Sequence, residues 1–97
     1  MTINSRSKLY ARPSGFEQIT VGASAIGLTA ASIGKAAFIT IENADIRYRI
    51  DGTNPTATVG HLVGNGGSIY LAEVKSLANF KMIRTGDTSA TAFVTHY

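Results

Sequence analysis

The fold is decided by one stretch of sequence, Phe38-Ile-Thr-Ile-Glu-Asn-Ala-Asp-Ile-Arg-Tyr-Arg-Ile-Asp-Gly-Thr-Asn-Pro-Thr56. Apolar residues alternate with other residues on both sides of its central turn, Asn43–Asp45. The alternation is clearest after the turn, where Ile46, Tyr48 and Ile50 are separated by arginines. A period of two residues is typical of half-buried β-strands, and β-branched and aromatic residues fit such strands well. The stretch therefore predicts two strands joined by a polar turn and followed by a second turn.

The same alternation recurs along the rest of the chain, and no window of about eleven residues has the spacing of an amphipathic helix. A chain of 97 residues has room for one core and one domain. We expect an all-β fold, a single-domain β-sandwich or jelly-roll-like barrel of seven to eight short antiparallel strands. The predicted strands are Phe16–Val21, Ala23–Thr29, Ala36–Glu42, Ile46–Ile50, His61–Val63, Ser68–Val74, Asn79–Thr85 and Thr91–Tyr97.

Two glycine-containing segments predict turns. Gly64-Asn-Gly-Gly67 lies between two predicted strands, and its Asn-Gly pair favours the positive φ angles of a tight hairpin. In Asp51-Gly-Thr-Asn-Pro-Thr56, Asp51 can form an Asx-turn, Gly52 can take a positive φ angle, and Pro55 fixes its own φ angle. The second segment should therefore be a rigid loop that ends a strand.

Large apolar residues on the strands form the expected core. Replacing Ile50 by alanine should cost about 2–4 kcal/mol of stability, because burial is lost and a cavity remains. The residues expected to contribute most buried surface are Ile39, Ile41, Ile46, Tyr48, Ile50, Ile69, Leu71, Phe80, Ile83, Phe93 and Val94.

The composition indicates assembly with other subunits. Charged residues make up 15% of the chain, against roughly 25% in typical soluble domains. Edge strands are usually protected from association by charged side chains, so few charges leave thinly protected edges. We therefore expect a homo-oligomer, with a trimer as one arrangement. No cysteine is present for disulfides, and no apolar run is long enough for a signal peptide or a membrane span, so no membrane partner is expected.

The net charge of +3 arises in the first residues of the chain. Arg6, Lys8 and Arg12 have no acidic residue among them, and with Tyr10 they define a predicted basic arm, residues 1–15, ahead of a domain at residues 16–97. The arm is interpreted either as a clamp onto a partner subunit or as a frayed terminus. Three positive charges are too few for strong binding to nucleic acid, which is not expected as a partner.

Arg47 and Arg49 flank Tyr48 and are the other candidate contacts. We expect Arg47 to line the solvent side of an edge strand, with Glu42 within reach across the turn. Either guanidinium could instead make a bidentate contact with a neighbouring subunit.

The remaining polar residues do not predict an enzyme. His61 and His96 are expected to be ordinary surface or strand histidines, because a zinc site needs three or four ligands at suitable spacing. Asp45 and Asp51 flank one strand and are interpreted as turn formers. The serines lie outside any nucleophile-elbow setting, and Gly64–Gly67 lacks the context of a phosphate-binding loop. No catalytic residue, cofactor or metal is therefore predicted.

A resemblance to known proteins covers residues 36–97. The run Glu42-x-Ala44-x-Ile46-Arg-Tyr-Arg-x-Asp51-Gly-Thr-x-Pro55-Thr-Ala-x-x-Gly60, followed by Gly67-Ser-Ile-x-Leu71, Phe80-x-x-Ile83-Arg84 and Tyr97, resembles a group of small virion structural proteins of tailed bacteriophages. The resemblance implies a protein of the virion, made in the host bacterial cytoplasm. Its leading interpretation is a capsid decoration, or cement, protein that binds the major capsid protein or another virion protein; a neck or tail component is the alternative.

A second resemblance is local. The segment Tyr48-x-x-Asp51-Gly-Thr-x-Pro55-Thr is similar to part of the immunoglobulin-like modules found at the C-terminal end of some chitin-degrading enzymes. It implies a β-sandwich and, as a further alternative, a carbohydrate-binding or adhesion module. Such a module should expose aromatic side chains for sugar stacking, but the chain has no tryptophan, and we expect most of its phenylalanines and tyrosines in the core.

Overall fold

The structure, a computed structural model, describes residues 13–29 and 33–97. Within them lie seven strands and one short helix. The elements are β1 (Gly15–Val21), β2 (Ala37–Glu42), β3 (Ile46–Arg49), β4 (His61–Val63), β5 (Ser68–Leu71), α1 (Val74–Asn79), β6 (Lys81–Arg84) and β7 (Ala90–His96). The predicted basic arm falls almost entirely outside the described residues, and β1 begins at Gly15, the last residue assigned to that arm.

The strands form two antiparallel sheets. Sheet A has four strands in the order β1-β7-β2-β5, and sheet B has three in the order β4-β3-β6. The expectation of an all-β sandwich is confirmed. No helix of the described residues is long and apolar enough to cross a membrane.

The core lies between the sheets and follows the strand alternation. In β2, Ala37, Ile39 and Ile41 are buried while the residues between them are not, and in β7 every second residue from Ala90 to His96 is buried. Ile46 of β3 and Met82 of β6 close the core from sheet B. Seven of the expected core residues are buried: Ile39, Ile41, Ile46, Ile69, Leu71, Phe80 and Val94.

Four expected core residues are not fully buried, although Tyr48 among them packs against the core. Ile50 is 39% exposed because β3 ends at Arg49 and the alternation does not continue past it. Phe93 and Ile83 occupy outward positions of β7 and β6 and are half-buried, and Tyr48 is half-buried beside Phe80. The buried positions that were not expected are filled by Ile19, Val21, Ala36, Ala37, Pro55, Leu77, Met82, Ala90, Ala92 and His96.

The predicted strand Ala23–Thr29 is wrong. This segment makes a single bridge, in which Ile26 and Met82 exchange backbone hydrogen bonds of 2.9 and 2.8 Å. The amide of Arg84 also donates to the carbonyl of Gly22. The segment therefore covers the outer edge of β6, which would otherwise present unpaired backbone groups.

Two connections also differ from expectation. Gly64–Gly67 is a turn, with Gly67 N donating to Gly64 O at 2.8 Å and Gly66 at a φ angle of 91°. However, it joins β4 of sheet B to β5 of sheet A, so it crosses between sheets and closes no hairpin. Helix α1 follows β5, where a longer strand was expected, and its Leu77 is completely buried.

Candidate interaction surface

The outer side of sheet A carries four of the seven Phe and Tyr side chains that the structure describes. Because side chains alternate along each strand, residues that face away from the core fall into rows across the sheet. The strand register gives one row of Phe16, Thr95, Phe38 and Tyr70, a second row of Gln18, Phe93, Thr40 and Ser68, and a third row of Thr20, Thr91 and Glu42. We call this surface the aromatic face.

The aromatic face is strongly exposed and nearly uncharged. Phe16 is 66% exposed, Tyr70 64% and Phe38 41%. The rings of Phe16 and Phe93 stack with centroids 6.3 Å apart, so these two rings form one apolar patch that spans β1 and β7. Glu42 is the only charged side chain among its rows. Threonine and serine fill the positions between the rings.

The outer side of sheet B has the opposite chemistry. Arg47 and Arg49 of β3 and Lys81 of β6 occupy its outward positions, beside Leu62 and Ile83. We call this surface the basic face. Because the two sheets pack through their inner sides, the aromatic and basic faces lie on opposite sides of the molecule.

Arg47 is held within its own chain. Its Nε donates to the carbonyl of Ala57 at 3.2 Å and its Nη1 to the carbonyl of Gly60 at 2.9 Å. The expectation for this residue is wrong in two respects. β3 is the central strand of sheet B, not an edge, and the guanidinium is bound to the loop after β3 instead of Glu42. Arg47 therefore fixes that loop against the sheet.

Arg49 forms an ion pair with Asp51 through two hydrogen bonds. The hydrogen bond from Arg49 is the main cause of a lowered pKa of Asp51. Asp51 also accepts a bond from Thr53 N at 3.3 Å, and Gly52 has a φ angle of 85°, as expected for the Asx-turn loop. Asp45, the other expected turn former, accepts a bond from Asn65 N at 2.8 Å.

A shallow pocket of about 400 Å³ lies beside the Arg49–Asp51 pair. Its remaining lining residues are Ile50, Val59, Gly60 and His61. The ring of His61 packs on Tyr48 with centroids 5.2 Å apart. Since the two charges of the pocket neutralise each other, it offers neither an unpaired ion nor an activated nucleophile. Nowhere in the described part of the chain do three metal-binding side chains come together.

His96 is a strand histidine, as expected, and it is buried at the end of β7. Its Nε2 lies 2.6 Å from Oε2 of Glu17, and both oxygens of that carboxylate also accept bonds from Thr29. Burial raises the pKa of Glu17, but the hydrogen bonds from Thr29 and His96 outweigh it and the pKa is lowered overall. Nδ1 of His96 is buried without a hydrogen-bond partner in the described residues.

Only part of the predicted contact surface can be placed. Arg6, Lys8, Tyr10 and Arg12 lie outside the described residues. Arg47 and Arg49 share the basic face, where each has a partner within the chain. The aromatic face was not expected, although the alternation within β2 indicates part of it. Phe38 occupies an outward position of that strand, and Ile39 and Ile41 occupy inward positions.

Comparisons with protein-family models, with curated proteins and with solved structures find no match to this chain.

Proposed function

We propose that this chain is a structural component of a tailed bacteriophage virion, a capsid decoration protein that binds and stabilises the shell of the major capsid protein. The observation that carries the proposal is the aromatic face. Large contiguous apolar surfaces are rare on soluble monomers and mark sites of association. A chain with such a face on one side and a basic face on the other is suited to contact two neighbours at once.

The resemblance to small virion proteins supports the same role. It covers residues 36–97, which include every strand from β2 to β7. Its motifs fall on strands and on the loop held by Arg47, Arg49 and Asp51, as suits residues that shape a scaffold. The proposed role needs no catalytic residue and no cofactor.

The proposed partners are the major capsid protein, or another virion protein, and further copies of this chain. The chain is made in the host bacterial cytoplasm and then joins the virion. The basic arm, with Arg6, Lys8, Tyr10 and Arg12, adds to the contact with the shell, and Arg47 and Arg49 of the basic face lie against it.

Binding to undecorated shells tests this proposal. Reversing the charge of Arg6, Lys8 and Arg12 to glutamate should weaken co-sedimentation with shells, and the salt dependence of binding should fade because electrostatic contacts are lost. Lys75→Glu, on the exposed surface of α1, is the matched control and should bind as the wild type does. Deleting residues 1–13 should weaken binding and leave the melting temperature nearly unchanged. If the charge-reversed protein binds shells as the wild type does, the arm is not part of the contact. If the wild-type chain does not bind shells, the decoration role is contradicted.

The amount of the chain in purified particles separates decoration from the neck or tail alternative. A decoration protein should be present in a fixed ratio to the major capsid protein across the shell. A neck or tail protein would be present only in the few copies of a single ring.

One observation favours the carbohydrate-binding alternative. The sequence argues against this alternative if most aromatic side chains lie in the core, yet Phe16, Phe38 and Tyr70 lie exposed on one sheet face. Exposed rings on a flat sheet can stack on sugars as well as on proteins. Titration with soluble chitin oligosaccharides, followed by tyrosine fluorescence, tests this alternative; saturable binding lost in Tyr70→Ser would favour it over decoration.

A further inference from the structure

We propose that the aromatic face is the surface through which two copies of this chain pair about a two-fold axis. The inference rests on the proposed function, which supplies the reason why the chain assembles. It adds which surface of the chain is used and which partner covers that surface. It also replaces the trimer expected from the composition, because a face that pairs with itself closes at two subunits.

Charge favours a second copy as the occupant of this face. Two identical surfaces can meet only if they do not repel, and the rows of the aromatic face hold one charged residue, Glu42. Glu42 lies at the rim, because β5 pairs with β2 only as far as Thr40. The basic face has the opposite property: Arg47, Arg49 and Lys81 of two copies would face each other across it. Self-association therefore suits sheet A and disfavours sheet B.

The relief of the face is self-complementary. The first row is bulky, with Phe16, Phe38 and Tyr70, whereas the third row carries Thr20, Thr91 and, at the rim, Glu42. A two-fold axis that runs across the strands along the row of Phe93 turns the bulky row of each copy onto the third row of the other, so that Phe16 lies over Thr20 and the Phe38 ring lies over Glu42 at the rim. It also places the Phe93 rings of both copies near the axis. Such an isologous contact continues the layered packing of sheets found within β-sandwiches.

The size of the face sets the strength of the pair. Strands β1, β2, β5 and β7 have seven, six, four and seven residues. At about 3.3 Å per residue and about 4.8 Å between strands, the face measures roughly 380 Å² in projection, or about 760 Å² for two copies. Side-chain relief raises the buried area towards the roughly 1,000 Å² that a specific interface needs. This is the range of weak interfaces, so the dimer should be in equilibrium with monomer at micromolar concentrations.

Analytical ultracentrifugation of the full chain tests the pairing. The wild type should show a concentration-dependent monomer–dimer equilibrium. Phe16→Lys should raise the dissociation constant roughly tenfold or more, because the charge enters a two-fold interface twice. The control is Leu62→Lys on the basic face: Leu62 also lies on an edge strand, is 57% exposed, and its replacement should leave the equilibrium unchanged. Circular dichroism melts establish whether both variants fold. If Phe16→Lys does not fold, Tyr70→Ser, a milder change on the same face, replaces it in the test.

Cross-linking tests the position of the axis. The chain has no cysteine, so Thr40→Cys introduces a single thiol in the row on which the axis lies. Packed sheets lie about 10 Å apart, which is too far for a direct disulfide, so a short bismaleimide is the cross-linker. It should join two copies through this thiol, and Leu62→Cys should not cross-link under the same conditions.

A monomeric wild type at high concentration would overturn the inference, as would a dimer that only Leu62→Lys disrupts. A wild type that is monomeric but pairs after deletion of residues 1–12 would show that the chain's own N-terminal segment covers the face. A monomer that loses shell binding in Phe16→Lys would assign the face to the shell. These outcomes contradict the pairing and do not contradict the proposed function. If the chain dimerises in solution but is not found in virus particles, only the proposed function is contradicted.

Discussion

Glu17 and His96 form a polar pair on the inner side of sheet A. His96 is 1% exposed at its side chain and Glu17 is 15% exposed, so water has little access to the contact between His96 Nε2 and the Glu17 carboxylate. An ionised carboxylate only accepts hydrogen bonds, so Nε2 of His96 carries a proton in this contact. Thr29, which donates to both carboxylate oxygens, ties the segment after β1 back to that strand.

The lowered pKa of Glu17 makes stability depend on pH in acid. A carboxyl group that binds protons less readily in the folded state contributes stability above its unfolded pKa of about 4.3, and this contribution is lost as the pH falls through the lower folded value. We expect Glu17→Gln to reduce the loss of stability below about pH 4.3, measured by urea unfolding across the acid range. Glu42→Gln, which removes an exposed carboxylate from the other side of sheet A, should keep the wild-type profile. Equal profiles for wild type and Glu17→Gln would contradict the assigned role.

Two isoleucines provide a matched test of the core. Ile39 is fully buried, whereas Ile50 is 39% exposed beyond the end of β3. Ile39→Ala should cost about 2–5 kcal/mol of unfolding free energy, and Ile50→Ala should cost much less than the 2–4 kcal/mol expected from the alternation. Chemical denaturation of both variants measures the difference. Similar losses would mean that the inner side of sheet B extends past Arg49.

At the scale of single elements, the segment Gly22–Leu28 protects an edge of sheet B. It runs along β6 so closely that a Cβ atom on Gly27 would lie 2.8 Å from the carbonyl oxygen of Phe80. Backbone atoms cannot move aside as a flexible side chain can, so this position requires glycine.

Gly27→Ala should therefore destabilise the fold by about 1–3 kcal/mol, the usual cost of overpacking. Gly86→Ala is the control, because a Cβ atom there meets nothing within 4 Å, and it should be neutral or slightly stabilising. Thermal melts compare the two variants, and hydrogen exchange at the Met82 amide, which is bound to Ile26 O, reports on the edge itself. A Gly27→Ala protein as stable as Gly86→Ala would show that the segment does not lie tightly on β6.

Most elements could be predicted from local pattern, and the exceptions have physical causes. Strands β2, β3 and β7 match their alternating sequences within two residues at each end. Helix α1 has six residues, too few for a helical period to show, and its Leu77 is buried by tertiary packing. The Gly64–Gly67 sequence specifies a turn but carries no information about which sheet each neighbouring strand joins. The segment after β1 has strand-like alternation, yet it pairs with β6 at Ile26 alone.

The candidate site was less predictable than the fold. The alternation indicates Arg47 and Arg49 as candidate contact residues, because charged residues between apolar ones are conspicuous. Their hydrogen-bond partners within the chain depend on the path of the Asp51–Gly60 loop, which the alternation does not predict. The aromatic face depends on which strands lie side by side. Phe16, Phe38 and Tyr70 are distant in sequence and form one row only because β1, β7, β2 and β5 are neighbours in sheet A.

At the scale of the whole molecule, the two outer faces divide the surface by chemistry. Sheet A presents aromatic rings and threonines, and sheet B presents arginine and lysine. The low charged fraction of the chain fits this division, because the rows of the aromatic face, as far as the structure describes the chain, carry a single charged residue, Glu42. The division also gives the proposed decoration protein separate surfaces for a second copy and for the shell.

The central claim of the proposed decoration role is that the aromatic face is covered in a virion assembly. A reconstruction of purified phage particles assembled with this chain tests that claim. We expect copies of the chain on the shell in a fixed ratio to the major capsid protein, with Phe16, Phe38 and Tyr70 buried against another protein chain. Particles that lack the chain, or that carry it with these three side chains open to solvent, would contradict the claim.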